Sequence, residues 1–279
     1  MNYGSRIGFM QGRLSPQVDG KIQSFPWRHW QSEFPAAASI EISLMEWTLD
    51  QDRLYENPLM TETGRQEIIK LKEQYGISIP SLTGDCFMQA PFWKRTTERD
   101  SLLRDLQAII HAAATIGISL ILIPLVDSGR LENTTQEDGL RAGLASVERD
   151  LDEREMQITF ESDFPPERLA SFIDNFDPKY YGLTFDIGNS ASLGYNFKDE
   201  IAAYGPRIVN VHVKDRLLGG TTVPLGMGNA KLSETISALE HTDYRGNYIL
   251  QTARAPDGSH ADTLRNYKNK MADWLEQSA

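Results

Sequence analysis

Four polar side chains in the second half of the chain have the residue types of a metal-assisted active site. Glu161 ends the segment ITFE, Asp186 ends GLTFD, His212 lies within VNVHVKD, and Gln251 ends YILQ. Carboxylate and imidazole groups are ligands for Mn²⁺, Mg²⁺, Co²⁺ or Zn²⁺. Each residue alone could equally be a satisfied polar group inside a fold. The matched positions of the two acids and the histidine in successive segments favour a divalent-metal site.

Alternation along these segments places the polar residues on one face. Successive side chains of a β-strand point to opposite sides, and Ile158 and Phe160 have the parity opposite to Glu161. The same rule separates Asp186 and His212 from the apolar residues beside them. In a closed barrel all of these polar groups face the axis at the carboxyl ends of their strands, where barrel enzymes place catalytic residues.

The elements that must position these residues alternate between short β-like runs and longer amphipathic segments, which is typical of repeated βαβ units. The predicted strands lie near 6–10, 39–44, 77–82, 118–125, 157–161, 181–186, 208–214 and 247–251. The length of 279 residues is close to the ~250 residues typical of one such barrel. The sequence therefore predicts a single (β/α)8 barrel domain over residues 1–279.

Further polar residues are predicted around the barrel mouth. Glu41 faces inward at the end of the predicted second strand, either as a clamp for a substrate hydroxyl or as an interior acid paired with a base such as Arg13. Arg13, after the first strand, and Arg254, after Gln251, are candidates for binding an anionic group. Solvent-exposed arginines are the alternative.

The segment after His212 is a second candidate for anion binding. Lys214 and Arg216 follow the histidine, and Gly226 and Gly228 lie in the next loop. Cations together with exposed backbone N–H groups bind phosphate or carboxylate. The alternative is a flexible loop whose basic side chains lie in solvent.

Composition limits the partners. Lys and Arg number 28 and Asp and Glu 39, which gives a net charge of −11. This balance argues against a nucleic-acid or anionic-membrane surface, because both partners select basic patches. Cys86 is the only cysteine, which excludes an internal disulfide and a cysteine-cluster metal site. We expect a cytoplasmic protein with a small-molecule substrate, and the sequence leaves a homo-oligomer open.

Three motifs resemble those of the xylose isomerase-like barrels of sugar-phosphate isomerases and epimerases. FDIGNSASLG (185–194), VHVKD (211–215) and VPLGMGNA (223–230) are most similar to the L-ribulose/L-xylulose 5-phosphate 3-epimerase branch, which is related to hexulose-6-phosphate isomerases. The resemblance implies a divalent metal held by Glu161, Asp186, His212 and Gln251, with Glu161 moving a proton next to the substrate carbonyl. It also places Asn189 among the substrate contacts.

The resemblance leaves two positions open. Glu167 matches a second acid near the substrate in some relatives, although a favourable charge in the first turn of a helix is the alternative. Gln251 stands where the family has a second glutamate, and an amide has no titrating proton. Isomerisation with one base survives this change, whereas epimerisation between two bases is in doubt.

These observations predict a metal-dependent isomerase or epimerase of a sugar or sugar phosphate. The alternatives are a sugar-binding barrel without acid/base catalysis and a polyol dehydratase. Because His212 is predicted to line a polar mouth, its replacement by alanine is expected to weaken metal binding and to have little effect on folding.

Overall fold

Eight parallel strands close into a barrel. A computed structural model describes residues 3–242 and 244–278 of the protein. The barrel strands are β1 (Ile7–Met10), β2 (Leu44–Thr48), β3 (Ser78–Thr83), β4 (Leu120–Leu125), β5 (Gln157–Ser162), β6 (Tyr181–Asp186), β7 (Ile208–Val213) and β10 (Asn247–Leu250). Each pairs with the next along the chain, and β10 pairs with β1. The predicted (β/α)8 fold class is confirmed.

Helices follow the strands and form the outer layer. They are α1 (Glu33–Ser39), α2 (Glu62–Tyr75), α3 (Asp85–Gln89), α4 (Arg99–Thr115), α5 (Thr134–Ala145), α6 (Glu148–Glu153), α7 (Pro166–Ile173), α8 (Ile187–Leu193), α9 (Phe197–Tyr204), α10 (Leu232–Glu240) and α11 (His260–Gln277). The loop after β7 carries a small antiparallel hairpin of β8 (Asp215–Arg216) and β9 (Thr222–Val223). Across the part of the chain that the structure describes, no helix is both long and apolar enough to span a membrane.

The main apolar core lies between the strands and the helices. In α4, Leu102, Leu106 and Ile109 recur at helical spacing and are buried, because this stripe is the face that packs on the barrel. Strand residues of one parity, such as Phe160 and Val211, are buried in the same core. The other parity is therefore left for the barrel interior, which positions the polar residues.

Strand register brings Asp186 and His212 to one level. Asp186 is aligned with His212 across β6 and β7, and Glu161 is aligned with Pro124 across β4 and β5. Below them, Thr159 Oγ1 and Thr184 Oγ1 form a hydrogen bond of 3.1 Å inside the barrel. The predicted inward parity of β5 and β6 is thus observed.

The second strand differs from the prediction. It begins at Leu44, because residues 40–43 form the turn between α1 and β2. Glu41 has a positive φ of 57°, and its side chain is 89% exposed with Lys268 Nζ at 3.5 Å. The expectation that Glu41 faces the interior is therefore wrong. Glu46 occupies the inward position of β2 and is fully buried.

Candidate active site

Three ligand atoms converge at the carboxyl end of the barrel. His212 Nδ1 lies 3.7 Å from Glu161 Oε2 and 3.9 Å from Asp186 Oδ2, and one ligand atom of each residue lies within 4.8 Å of the others. All three side chains are buried. Ligand atoms that lie about 2.0–2.2 Å from one ion are separated by distances of this size.

Two of these atoms have no hydrogen-bond partner within the described chain, namely His212 Nδ1 and Asp186 Oδ2. Lys214 Nζ forms an ion pair with Asp186 Oδ2 at 2.6 Å. Buried polar atoms are rarely left unsatisfied. Their convergence and chemistry fit a divalent cation, which would be held by Glu161, Asp186 and His212.

Asn189 links the two acids. Its backbone N–H donates to Asp186 Oδ1 at 2.8 Å, where Asp186 caps α8, and its side-chain Nδ2 donates to Glu161 Oε1. Asn189 Oδ1 accepts hydrogen bonds from Lys214 Nζ at 3.2 Å and from Arg216 at 2.8 Å. This network fixes one oxygen of each acid and leaves the other oxygen facing the cluster.

Glu46 orients the histidine from inside the barrel. Its Oε1 lies 2.7 Å from His212 Nε2, and both side chains are fully buried. Its Oε2 accepts hydrogen bonds from Ser81 Oγ at 2.7 Å and from Asn210 Nδ2 at 3.0 Å. A carboxylate on the far nitrogen fixes the ring so that Nδ1 presents its lone pair to a metal.

The Glu46–His212 pair is charged in the metal-free protein. Burial opposes both charges, but the opposite charge and the hydrogen bonds outweigh burial. The pKa of Glu46 is lowered, and the pKa of His212 is raised to about 10. A cation can therefore bind Nδ1 only after His212 loses a proton.

A cavity of about 470 Å³ opens above the ligand cluster. Arg13, Asp85, Glu161, Asn189 and Gln251 contribute to its wall, so it combines charged and amide groups suited to a polar ligand. Another cavity, of about 570 Å³, is lined by residues at the amino ends of the strands such as Ser119, Gln157 and Asn247. In (β/α)8 barrels that end serves stability rather than chemistry.

Gln251 borders the cavity directly after β10. Its Nε2 donates weakly to Gln23 Oε1 at 3.4 Å, whereas its Oε1 is buried without a hydrogen-bond partner among the described residues. The carbonyl oxygen is therefore available for a metal or a ligand hydroxyl. The amide cannot exchange a proton as a carboxyl group does.

Arg13 lies in the loop after β1, next to Gln251 at the rim, and both side chains donate to Gln23 Oε1. Its guanidinium donates to Ile22 O at 3.3 Å and to Gln23 Oε1 at 2.9 Å, and its Nε is buried and unpaired within the described chain. Glu33 fixes this loop by accepting from Gly12 N at 2.9 Å and also from Leu14 and Ser15. Burial raises the pKa of Glu33 to about 7.

Two predicted substrate contacts lie elsewhere. Glu167 is exposed in the first turn of α7, and it is not among the residues that line the cavity. Arg254 donates to Gly12 O at 2.9 Å and to Ile22 O at 2.6 Å, so it supports the loop after β1. Neither side chain is brought to the ligand cluster.

The glycine loop after β7 is shaped by an acid rather than left open for an anion. Asp215 is fully buried and accepts from Gly226 N at 2.8 Å and Gly228 N at 2.9 Å. These N–H groups are therefore not available to a phosphate, contrary to expectation. Lys214 and Arg216 do line the cavity, and their binding of an anionic group stays a prediction.

Sequence reasoning missed Glu46 and Asp85. Glu46 interrupts the apolar segment LMEWTL, and a charge inside such a run must be paired when it is buried. Asp85 follows β3 by two residues, at the barrel end that carries chemistry. Both positions could have been found by extending the parity argument to the second and third strands.

The fold and the site can be compared with known proteins. The family model for the xylose isomerase-like TIM barrel matches residues 34–277, and the chain belongs to this family, as its motifs indicated. L-ribulose-5-phosphate 3-epimerase UlaE of Escherichia coli O1:K1 is 24% identical over 260 residues, which cover 87% of this chain and 90% of that protein.

Solved structures share the whole architecture. The IOLI protein with a bound zinc atom superposes with a TM-score of 0.75 at 13% identity, covering 98% of this chain and 99% of that one. D-psicose 3-epimerase in the presence of D-fructose gives a TM-score of 0.74 at 12% identity, covering 97% of this chain and 99% of that one. At these identities the likeness concerns the fold.

Proposed function

We propose that this protein is a divalent-metal-dependent isomerase or epimerase of a sugar or sugar phosphate. The observation that carries the proposal is the convergence of Glu161, Asp186 and His212 beside a polar cavity that Glu161 lines, where His212 Nδ1 and Asp186 Oδ2 are buried without a hydrogen-bond partner among the described residues. The activity named for the Escherichia coli relative supports a ketose phosphate as one substrate class.

Mn²⁺, Mg²⁺, Co²⁺ or Zn²⁺ fits the nitrogen and oxygen donors of the cluster. A bound cation supplies positive charge that stabilises the negative charge developing on the substrate oxygens. The Oε1 atom of Gln251 is free to act as a fourth donor. Zinc in the IOLI structure supports the capacity of this fold to hold such an ion.

Glu161 is the proton-transferring base in this proposal. Asn189 fixes one of its oxygens, and the carboxyl group lies in the cavity wall with only 6% of the residue exposed. It removes a proton from the carbon next to the substrate carbonyl, which gives an enediol. Returning that proton to the neighbouring carbon completes an aldose–ketose isomerisation.

Gln251 favours a second candidate, a sugar-binding barrel without catalysis, because the family's second glutamate is absent. The two functions differ in whether a metal-loaded sample converts its ligand. We suggest stripping the protein with chelator, reloading it with each cation, and incubating it with D-fructose, D-psicose and L-ribulose 5-phosphate.

Nuclear magnetic resonance detects the products of such incubations. Conversion that requires the cation and is lost in Asp186→Asn supports the enzyme. Saturable binding of a sugar without conversion in every metal-loaded sample would favour the binding protein.

A further inference from the structure

Asp85 is a buried acid on the third-strand side of the cavity. It follows Gly84 directly after β3 and begins α3. Only 7% of the residue is exposed, and it lines the same cavity as Arg13, Glu161 and Gln251. A ligand that reaches the metal cluster through this cavity passes its carboxyl group.

Asp85 differs from the other buried acids in having no partner within the described chain. Each of the other buried acids forms a hydrogen bond or an ion pair. They are Glu33, Glu46, Asp50, Glu161, Asp186, Glu200 and Asp215. A buried carboxyl group without a partner destabilises the fold. Such a group in a native cavity calls for a functional explanation.

The surroundings of Asp85 favour its protonated form. Burial has the largest effect, and the negative charges of Asp50 and Glu161 act in the same direction. The positive charges of Arg13 and His212 oppose them only partly, so the pKa of Asp85 is raised to about 8. In the metal-free protein the side chain therefore holds a proton that it can donate.

Other acids on the cavity wall are less suited to this task. Asp127 is exposed at the rim, and Asp163 forms an ion pair with Arg130 at 2.5 Å. Gln251 cannot carry the second proton, and Glu41 lies outside the barrel. Asp85 combines burial, access to the cavity and a free carboxyl group.

We propose that Asp85 is a second catalytic residue, which moves protons at the substrate oxygens while Glu161 moves the proton at carbon. This inference rests on the proposed isomerase function. It explains how the site can work with an amide at position 251. It also explains why the fold tolerates an unpaired acid in the cavity.

The proton transfers balance over one turnover. Glu161 takes the proton from the carbon beside the carbonyl, the C–H electron pair becomes the carbon–carbon double bond, and Asp85 donates its proton to the carbonyl oxygen. The enediol then loses its other hydroxyl proton to Asp85. Glu161 returns its proton to the second carbon, so both residues regain their starting states.

The test compares Asp85→Asn with Asp52→Asn, which makes the same change at an exposed residue that does not line the cavity. Both variants and the wild type are loaded with Mn²⁺ and assayed with D-fructose, D-psicose and L-ribulose 5-phosphate. Loss of an acid/base group typically lowers the rate ~10²- to 10⁴-fold. We expect this loss in Asp85→Asn, with the Mn²⁺ content and the activity of Asp52→Asn unchanged from the wild type.

Two further readouts separate catalysis from structure. Activity of the wild type should fall at alkaline pH, because Asp85 loses its proton, and the residual activity of Asp85→Asn should lack this decline. The variant should also unfold at a temperature at least as high as the wild type in alkaline buffer. A lowered melting temperature or lost Mn²⁺ would show a structural role and overturn the inference.

The remaining outcomes are equally informative. If the wild type converts a sugar and Asp85→Asn stays within about twofold of Asp52→Asn, against the ~10²-fold minimum expected, the role of Asp85 is rejected while the proposed function stands. If the metal-loaded wild type converts none of the three compounds, the proposed function fails and the inference fails with it.

Discussion

Replacing Glu46 by glutamine tests how the barrel interior controls the metal site. Glu46 lies 2.7 Å from His212 Nε2, both side chains are fully buried, and the pKa of His212 is about 10. Metal binding near neutral pH must therefore release a proton from His212. Below that pKa, the apparent affinity of the wild type should fall about tenfold for each unit of pH.

Glutamine retains an acceptor for the imidazole but removes the charge. Loss of a nearby opposite charge lowers the pKa of a histidine by about 1–3 units, so the pH above which affinity levels off should fall by that amount. Loss of an outer carboxylate typically weakens metal binding about 10–100-fold, which equals about 1.4–2.7 kcal/mol. The two effects oppose each other near neutral pH, and only the full pH dependence separates them.

Titration calorimetry with Mn²⁺ between about pH 6 and pH 9, in buffers of different ionisation enthalpy, gives both affinity and protons released. We expect about one proton per ion for the wild type, and fewer at the alkaline end for Glu46→Gln. Glu33→Gln is the matched control, since it changes another fully buried acid that does not contact His212. Equal proton release by the wild type and Glu46→Gln would refute the assignment of Glu46.

Other perturbations follow from the same contacts. His212→Ala should abolish tight Mn²⁺ binding in calorimetry and should lower the free energy of unfolding in urea by about 3–5 kcal/mol, because Glu46 would remain buried without its partner. Gln251→Glu should tighten Mn²⁺ binding and raise 3-epimerase activity toward L-ribulose 5-phosphate at equal metal occupancy. Unchanged epimerase activity would show that the absence of an acid at position 251 does not limit the rate. Glu33 has a pKa of about 7 in the fold against about 4.3 in the unfolded chain. Its contribution to the free energy of unfolding is therefore complete below about pH 4.3 and is lost as the pH rises through about 7. Relative to Glu33→Gln, the wild type should lose about 3–4 kcal/mol across this window, and a constant difference in urea denaturation would contradict this.

The sequence predicted the fold because strand-like and helical segments alternate along the chain, and it predicted the ligand cluster because strand parity decides which side chains face the barrel axis. In β5, β6 and β7 the apolar residues alternate with Glu161, Asp186 and His212, so that each pattern fixes which side faces the axis. The predicted convergence agrees with the observed geometry. The role of the cluster as a metal site remains a proposal.

The second strand could not be placed by alternation alone. Residues 40–43 alternate between buried isoleucines and exposed polar residues, yet they form a turn with a positive φ at Glu41. The true strand is a nearly continuous apolar run in which Glu46 is paired across the barrel. Local patterns do not reveal the long-range contact between Glu46 and His212. For this reason the sequence did not predict that His212→Ala lowers the free energy of unfolding.

The central claim is tested most directly by deuterium incorporation into substrate in heavy water. The Mn²⁺-loaded wild type, incubated with the sugar that it converts, should incorporate deuterium at a carbon next to the carbonyl whenever the proton held by Glu161 exchanges with heavy water before it is returned, as measured by nuclear magnetic resonance. Glu161→Gln with the same Mn²⁺ content should neither convert the sugar nor incorporate deuterium. Undiminished conversion or undiminished deuterium incorporation in Glu161→Gln would contradict proton transfer by Glu161.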